Sequence, residues 1–503
     1  MSEQSVVRIR VLDEVTAAVL GLKPEHLDHF HELYAVKAPN YFFHPKYKLG
    51  QWDGKIRYFH KTGKTYVYLL EEIIRQVKRF GYKIKLEDLR TSEVVQPPAI
   101  EKDIFSHIGH LDTGLPIELN IHQVEAVNSL LDAGNGVVVA GTGGGKTLMC
   151  AALVTAYDRL GIRSITIVPD TTLIAQTKRE YINCQLDTGE YSGLEKSIEH
   201  RHVVSTWQAL KNNPKIVELF QMVIVDEAHG LRGNVLSTIV TQHAGKMPYR
   251  FGFTGTLPKE HADLLSVHVA VGVTRYEIPA HELQKRGILA DMEIDCVELV
   301  EDLTTQYEEF CQEYPLEDIK YEKYKQKYFP DFSSEKSYLR ANKKRTQYIA
   351  NLIEKKRDEK KGNVLCLVDS IAFARRLGKL IEGAIVVNGK DVRNVKDRQV
   401  VYDLFKDSDN LVVIATVNIA GTGLNIRRIF NLVLIDIGKS FIRVIQSIGR
   451  GLRKAEDKDF VRVTDISSDL KYGHKHLLER LKFYREAQYN FTRQKVDYSR
   501  NLD

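Results

Sequence analysis

Gly136-Val-Val-Val-Ala-Gly-Thr-Gly-Gly-Gly-Lys-Thr147 is the stretch on which the reading of the fold turns. A short apolar run enters a glycine-rich turn, and a segment with helical spacing follows from Leu148 to Leu160. That order is strand, phosphate loop, helix. Glycines let the backbone bend tightly, so the N–H groups along Gly141, Thr142, Gly143, Gly144 and Gly145 can face phosphate oxygens. The helix N-terminus adds the positive end of its dipole. The pattern predicts that Lys146 reaches the β- and γ-phosphates and that the Thr147 hydroxyl holds Mg²⁺. Ala140 stands where the strict pattern has glycine, and the smallest side chain after glycine still suits a tight loop.

Outward from this loop, near-continuous apolar runs alternate with helical spacing: 164–168, 202–206, 221–226 and 249–254. Such runs indicate a parallel sheet covered on both faces, with ligands at the carboxyl ends of its strands. Asp226-Glu227-Ala228-His229 closes one run. Asp226 is the expected second ligand of the Mg²⁺, and Glu227 is placed to polarise an attacking water. A second series of buried-type runs, at 363–368, 384–387, 411–415, 432–435 and 461–463, has no phosphate loop of its own. The second lobe is therefore expected to serve the nucleotide held by the first. Within it, Gln446-Ser-Ile-Gly-Arg-Gly-Leu-Arg453 puts Arg450 and Arg453 on one helix face, where guanidinium forks can match phosphate oxygens.

The 503 residues suit about three domains, and 43% hydrophobic with 27% charged residues is an ordinary globular composition. No apolar run approaches the ~20 residues that span a bilayer. The start, Met1-Ser-Glu-Gln-Ser, lacks the basic-then-apolar order of a signal peptide, and five scattered cysteines form no C-x-x-C pair. These features predict a reducing cytoplasm, no membrane and no structural zinc. A net charge of +6 permits nucleic-acid binding without demanding it, so its distribution matters more. From Lys37 to Lys85, twelve Lys or Arg face three acids, with aromatic residues interleaved. We expect a small antiparallel sheet there, then a helix from Leu69 to Phe80 ended by Gly81. Most of its aromatics should form a core, while Trp52, Lys55 and Arg57 are candidates for nucleic-acid contact. A charged, Tyr- and Lys-rich segment at 301–361 reads as a helical connection.

Taken in chain order, Gln123, the phosphate loop, Asp226-Glu-Ala-His229, Thr254-Gly-Thr256, Gly421-Thr-Gly423 and Gln446 to Arg453 resemble the successive motifs of superfamily 2 helicases. The resemblance covers roughly residues 117–455. It implies an α/β fold of two RecA-like parallel-sheet lobes in tandem, with a small α+β N-terminal domain. The expected division is 1–95 front domain, 96–115 linker, 116–295 first lobe, 296–470 helical connection and second lobe, and 471–503 C-terminal helical segment. It implies ATP and Mg²⁺ as cofactors and Gln123 on the adenine edge. Gln446, Arg450 and Arg453 would act in catalysis, with both arginines as fingers on the transferring phosphate. Gly423 would touch nucleotide, and His229, Thr254 and Thr256 would couple hydrolysis to movement. Pro169, Gln176, Thr206, Gln208, Thr416 and Thr422 would contact the nucleic-acid backbone. Tyr41-Phe-Phe-His-Pro-Lys-Tyr-Lys-Leu-Gly-Gln-Trp-Asp-Gly-Lys-Ile-Arg57 is similar to the front domain of tailed-phage recombination helicases. This narrower likeness implies branched DNA as substrate: forks, Holliday junctions, D-loops and RNA–DNA hybrids in R-loops. It further implies a monomeric motor in recombination, repair and replication, with phage recombination or single-strand-binding proteins as partners. Two rival readings share the motor motifs: an ATP-dependent RNA helicase, and the motor subunit of a restriction-type complex. No Pro-Asp…Asp/Glu-x-Lys nuclease cluster supports the latter.

Overall fold

The computed structural model describes residues 6–39, 41–109, 114–141, 143–288, 291–315, 317, 319–359, 362–387, 408, 410–417, 430–438 and 460–499. The chain divides into two compact units at Ile278/Pro279, apart from loop residues Gly143 and Gly144, which group with the second.

The first unit opens with a small α+β domain. Strands β1 (Val6–Val11), β2 (Thr16–Leu20), β3 (Ala35–Lys37), β4 (Lys55–Arg57), β5 (Lys64–Tyr66) and β6 (Lys83–Asp88) form two sheets. One is a mixed sheet in the order β5-β2-β1-β6, with β1 and β6 parallel; the other is a β3-β4 ribbon. The expected single antiparallel sheet is thus split. Its two sequence runs join different partners, because Tyr58 and Phe59 leave β4 to enter the core. The helix Leu70–Arg79 lies where its period placed it and buries Leu70, Ile73 and Val77. This domain has no closed core of its own: Leu265 and Val269, from the helix His261–Val271, complete its cluster. The Tyr58 hydroxyl donates to Ala262 O at 3.0 Å on that helix. Beyond β6, residues 89–109 carry no helix or strand, yet Ile100, Ile104, Phe105 and Ile108 are buried.

The rest of the first unit is an all-parallel sheet of β7 (Asn135–Ala140), β8 (Ser164–Val168), β9 (Thr188–Tyr191), β10 (His202–Thr206), β11 (Met222–Asp226), β12 (Tyr249–Thr254) and β13 (Thr274–Ile278). Its order is β13-β7-β12-β11-β8-β10-β9. β8, β10 and β12 are buried along their whole length, as both-face burial by helices requires. β9 and β13 are edge strands that apolar runs did not reveal, since Thr188–Tyr191 and Thr274–Ile278 are largely polar.

The second unit is another all-parallel sheet: β14 (Asp291–Leu299), β15 (Val364–Val368), β16 (Ile385–Val387), β17 (Val412–Thr416), β18 (Asn431–Ile435), β19 (Phe460–Ser468) and β20 (Asn490–Val496), ordered β16-β17-β15-β18-β19-β14-β20. β14 crosses the expected boundary at 295 and belongs wholly to this sheet. The terminal segment, expected to be helical, is the helix Lys471–Glu486 followed by β20, which pairs with β14. Four helices, Thr304–Glu313, Tyr321–Lys327, Phe332–Ala341 and Lys343–Asp358, form the connection and break near Pro315 and Pro330. Arg345 fastens it to the sheet. Its guanidinium, fully buried, bonds Glu301 at 2.7 Å and Asp436 at 2.7 and 2.8 Å.

Candidate functional site

The phosphate loop leaves β7 and opens the helix Lys146–Asp158. Gly143 and Gly145 take φ of 86° and 80°, a left-handed backbone that only glycine adopts without strain. A Cβ at Gly145 would sit 2.2 Å from Gln123 Nε2. That amide is the loop's neighbour. Gln123 Oε1 accepts from Asn120 N–H at 2.8 Å, and its Nε2 donates to Gly145 O at 3.4 Å. The residue expected on an adenine edge therefore also caps its own helix and steadies the end of the loop. Lys146 Nζ rests 3.4 Å from Ala140 O.

β11 and β12 are neighbours, so Asp226 and Thr254 end side by side. Glu227 follows with φ 52°. His229 Nδ1 lies 3.0 Å from Thr254 Oγ1 and 3.2 Å from Glu227 Oε2, and Thr254 Oγ1 is 3.5 Å from that same carboxylate. Thr254 Oγ1 donates to Thr256 O at 2.9 Å. Four residues named from two separate sequence segments thus form one network. Burial pushes the Glu227 carboxyl up, but the Lys146 ammonium and the His229 bond outweigh it and hold the group well below the usual carboxylate range. Glu227 is ionised at neutral pH. On the next helix turn, burial raises the Cys150 thiol; Asp226 adds to that and Lys146 offsets it, so both charges act at one place.

Among the described residues, no group of three or more His, Cys, Asp or Glu could hold a metal by itself. Thr147 and Asp226 offer one hydroxyl and one carboxylate. That oxygen donor set suits Mg²⁺, which keeps waters and takes the rest of its shell from phosphates. Two left-handed glycines that clear room for a ligand, beside one cation, fit a triphosphate.

Pro169 follows β8 and Thr206 ends the adjacent β10, and Gln208 Nε2 donates to Pro169 O at 3.3 Å. Thr206 caps the helix Trp207–Asn212, and Gln176 is half-buried on the helix Thr171–Asn183. Thr416 ends β17 and is buried. In the front domain the candidates are already engaged. Trp52 Nε1 donates to Lys55 O at 2.9 Å. Lys55 pairs with Glu32 at 2.6 Å, and Arg57 with Glu32 at 2.9 Å and Asp53 at 2.5 Å. The bonds from Lys55 and Arg57 hold Glu32 down at about 2, and Arg57 does the same for Asp53. Thr142, Thr422, Gly423, Gln446, Arg450 and Arg453 lie outside the described residues. The sequence reading missed Asp369, which follows β15. A polar residue just past a buried run was the signal that found the other sites.

Three family models match the chain: "DNA helicase UvsW, N-terminal" over 11–87, "Type III restriction enzyme, res subunit" over 116–259, and "Helicase conserved C-terminal domain" over 344–455. The ATP-dependent DNA helicase UvsW of Enterobacteria phage T4 is 24% identical over 93% of this chain and 96% of its own. The DNA 3′-5′ helicase XPB of Kineococcus radiotolerans is 30% identical over 36% of this chain and 33% of its own. In structure, the ATP-dependent Type ISP restriction-modification enzyme LlaBIII bound to DNA aligns with TM-score 0.56 at 12% identity, covering 86% of this chain and 34% of that one. That last likeness concerns the fold alone.

Proposed function

This chain is a superfamily 2 ATP-dependent helicase similar to phage T4 UvsW, and from that premise we propose that it remodels branched DNA: forks, Holliday junctions, D-loops and R-loops. The observation that carries the reading is the Glu227–His229–Thr254 network beside Lys146. Such a network lets the group that orients water report its state to the strand end that follows it. Full-length similarity to a protein named as a DNA helicase supports DNA as the polymer.

In this reading Lys146 binds the outer phosphates, and the loop N–H groups cradle them. Mg²⁺, held through Thr147 and Asp226, would neutralise charge on the phosphate oxygens. Glu227, kept ionised, orients water for attack. Arg450 and Arg453 stabilise charge on the transferring oxygens, with Gln446 beside them in sequence. Thr254 and His229 tie Glu227 to Thr256, which makes them the coupling residues. Pro169, Gln176, Thr206, Gln208, Thr416 and Thr422 serve the nucleic-acid backbone. The test is ATP hydrolysis and strand separation measured on duplex, fork, four-way junction, D-loop, R-loop and RNA substrates. The proposal expects the branched DNAs to stimulate most. Stimulation by RNA alone would sink it.

A further inference from the structure

Three strands of the second sheet end at one cavity of about 530 Å³. β15 hands over to Asp369, β17 ends in Thr416, and β18 runs on to Ile437 and Gly438; all line it. β15 leads to β16 on one side of the sheet and β18 to β19 on the other. The cavity therefore lies where neighbouring strands send the chain in opposite directions, the place where open parallel sheets bind ligands. Its volume falls in the ~300–1,000 Å³ range of ligand clefts.

The outer wall comes from two elements that carry none of the motor motifs: Phe332 and Lys336 from the helix Phe332–Ala341, and Tyr472, Lys475 and His476 from the helix Lys471–Glu486. Its chemistry is cationic and aromatic. Asp369 is the acid of the lining, and it is doubly engaged, by Lys336 and by Arg340 at 2.7 Å. Two cations thus share the one carboxylate of the lining, and Asp436 acts on both from beyond it. Lys475 is exposed and makes no ion pair or hydrogen bond among the described residues. Thr416 is only 7% exposed, and its hydroxyl likewise finds no partner among them. The first amides of the helix Lys471–Glu486 are not the anion site. Tyr472 N–H and Gly473 N–H already donate to the Glu335 carboxylate at 2.9 and 2.6 Å. An anion entering the cavity meets side chains: Lys475, the Lys336–Arg340 corner and the Thr416 hydroxyl.

We propose that this cavity is a subsite that seats one nucleotide of the DNA strand, its phosphodiester on Lys475 and Thr416 and its sugar and base against Phe332 and Tyr472. The inference rests on the helicase reading of Thr416 and adds to it a wall from the helical connection and the terminal helix. A free nucleotide shares the same chemistry, so the test separates the two.

The full chain and its Lys475→Ala and Lys475→Arg variants are titrated with a fluorescent single-stranded oligonucleotide between about 50 and 200 mM salt. Lys475→Ala is expected to bind more weakly, with a slope of log affinity against log salt smaller by about 0.7, one phosphate contact on a single strand. Lys475→Arg should keep the parental slope. If the parent binds DNA and Lys475→Ala matches it in affinity and slope, the subsite is wrong and the helicase reading stands. If the parent binds no DNA, that reading fails first. If ADP binds a Lys146→Ala variant, and this binding is lost when Lys475→Ala is added, the cavity takes a free nucleotide and the proposal is overturned.

Discussion

Glu227 occupies a left-handed backbone at φ 52° without being glycine, a cost of order 1–3 kcal/mol that a fold retains only where the surroundings hold it. Here they do, through His229 and Thr254. If that network couples rather than catalyses, Thr254→Val should leave ATP hydrolysis within about tenfold of the parent, the scale of one lost polar contact. Base pairs opened per ATP should fall much further. A parallel fall in both would mark Thr254 as part of the hydrolytic centre instead. In the front domain, Glu32 competes with DNA for Lys55 and Arg57. Glu32→Gln should therefore tighten DNA binding by about two- to threefold, the worth of an exposed pair. The same variant has a pH signature. Folding lowers the Glu32 pKa from 4.5 to about 2, so its contribution to stability is present above pH 4.5 and lost as pH falls through 2. Acid unfolding of Glu32→Gln should be flatter in that window. Equal DNA affinity in the two proteins would show that Lys55 and Arg57 are not contacts.

Among elements, the helical connection that leads from β14 to β15 within the second sheet is fastened by one buried side chain. The helix Lys343–Asp358 reaches its sheet through Arg345, which meets Glu301 just past β14 and Asp436 just past β18. The Tyr498 hydroxyl donates to the second Glu301 oxygen at 2.7 Å. Removing the guanidinium leaves a buried carboxylate unpaired, and Arg345→Met should cost about 3–5 kcal/mol in denaturant unfolding. An element of a different kind is the turn before β5. Gly63 has φ 82°, and a Cβ there would clash with the backbone oxygen of Val19. That turn sets the register of β2 against β5.

For the molecule as a whole, the front domain is built into the first unit. Leu265 and Val269 belong to the front domain's core, and the Tyr58 hydroxyl is bonded to the same helix. Burying each of two such side chains is worth about 1.5–3 kcal/mol. A chain starting at residue 96 should then melt at least about 5 °C lower than the full one, as differential scanning calorimetry would show. An unchanged transition would mean that the domain folds and detaches freely. Hydrolysis is the other property of the whole chain. Lys146→Ala should abolish turnover with DNA binding largely kept, and Arg450→Ala should reduce turnover by about a hundredfold or more. Near-normal rates in either would remove that residue from the mechanism.

Buried-strand runs, the glycine loop and the acids at strand ends were legible along the chain, because each is a local consequence of backbone geometry and of burial on both faces. The order of motifs in sequence pointed to the family for the same reason. The edge strands β9 and β13 were not legible, since an edge needs no continuous apolar run. Nor was the membership of β14 and β20 in the second sheet, because strand partnership depends on residues far away in sequence. Lys55 and Arg57 read as free cations until Glu32, more than twenty residues earlier, was seen to pair with both. Local pattern by itself determined which chemistry the chain carries. Tertiary structure alone decided which charges remain available for it, because a side chain's partners are set by long-range packing rather than by its neighbours in sequence.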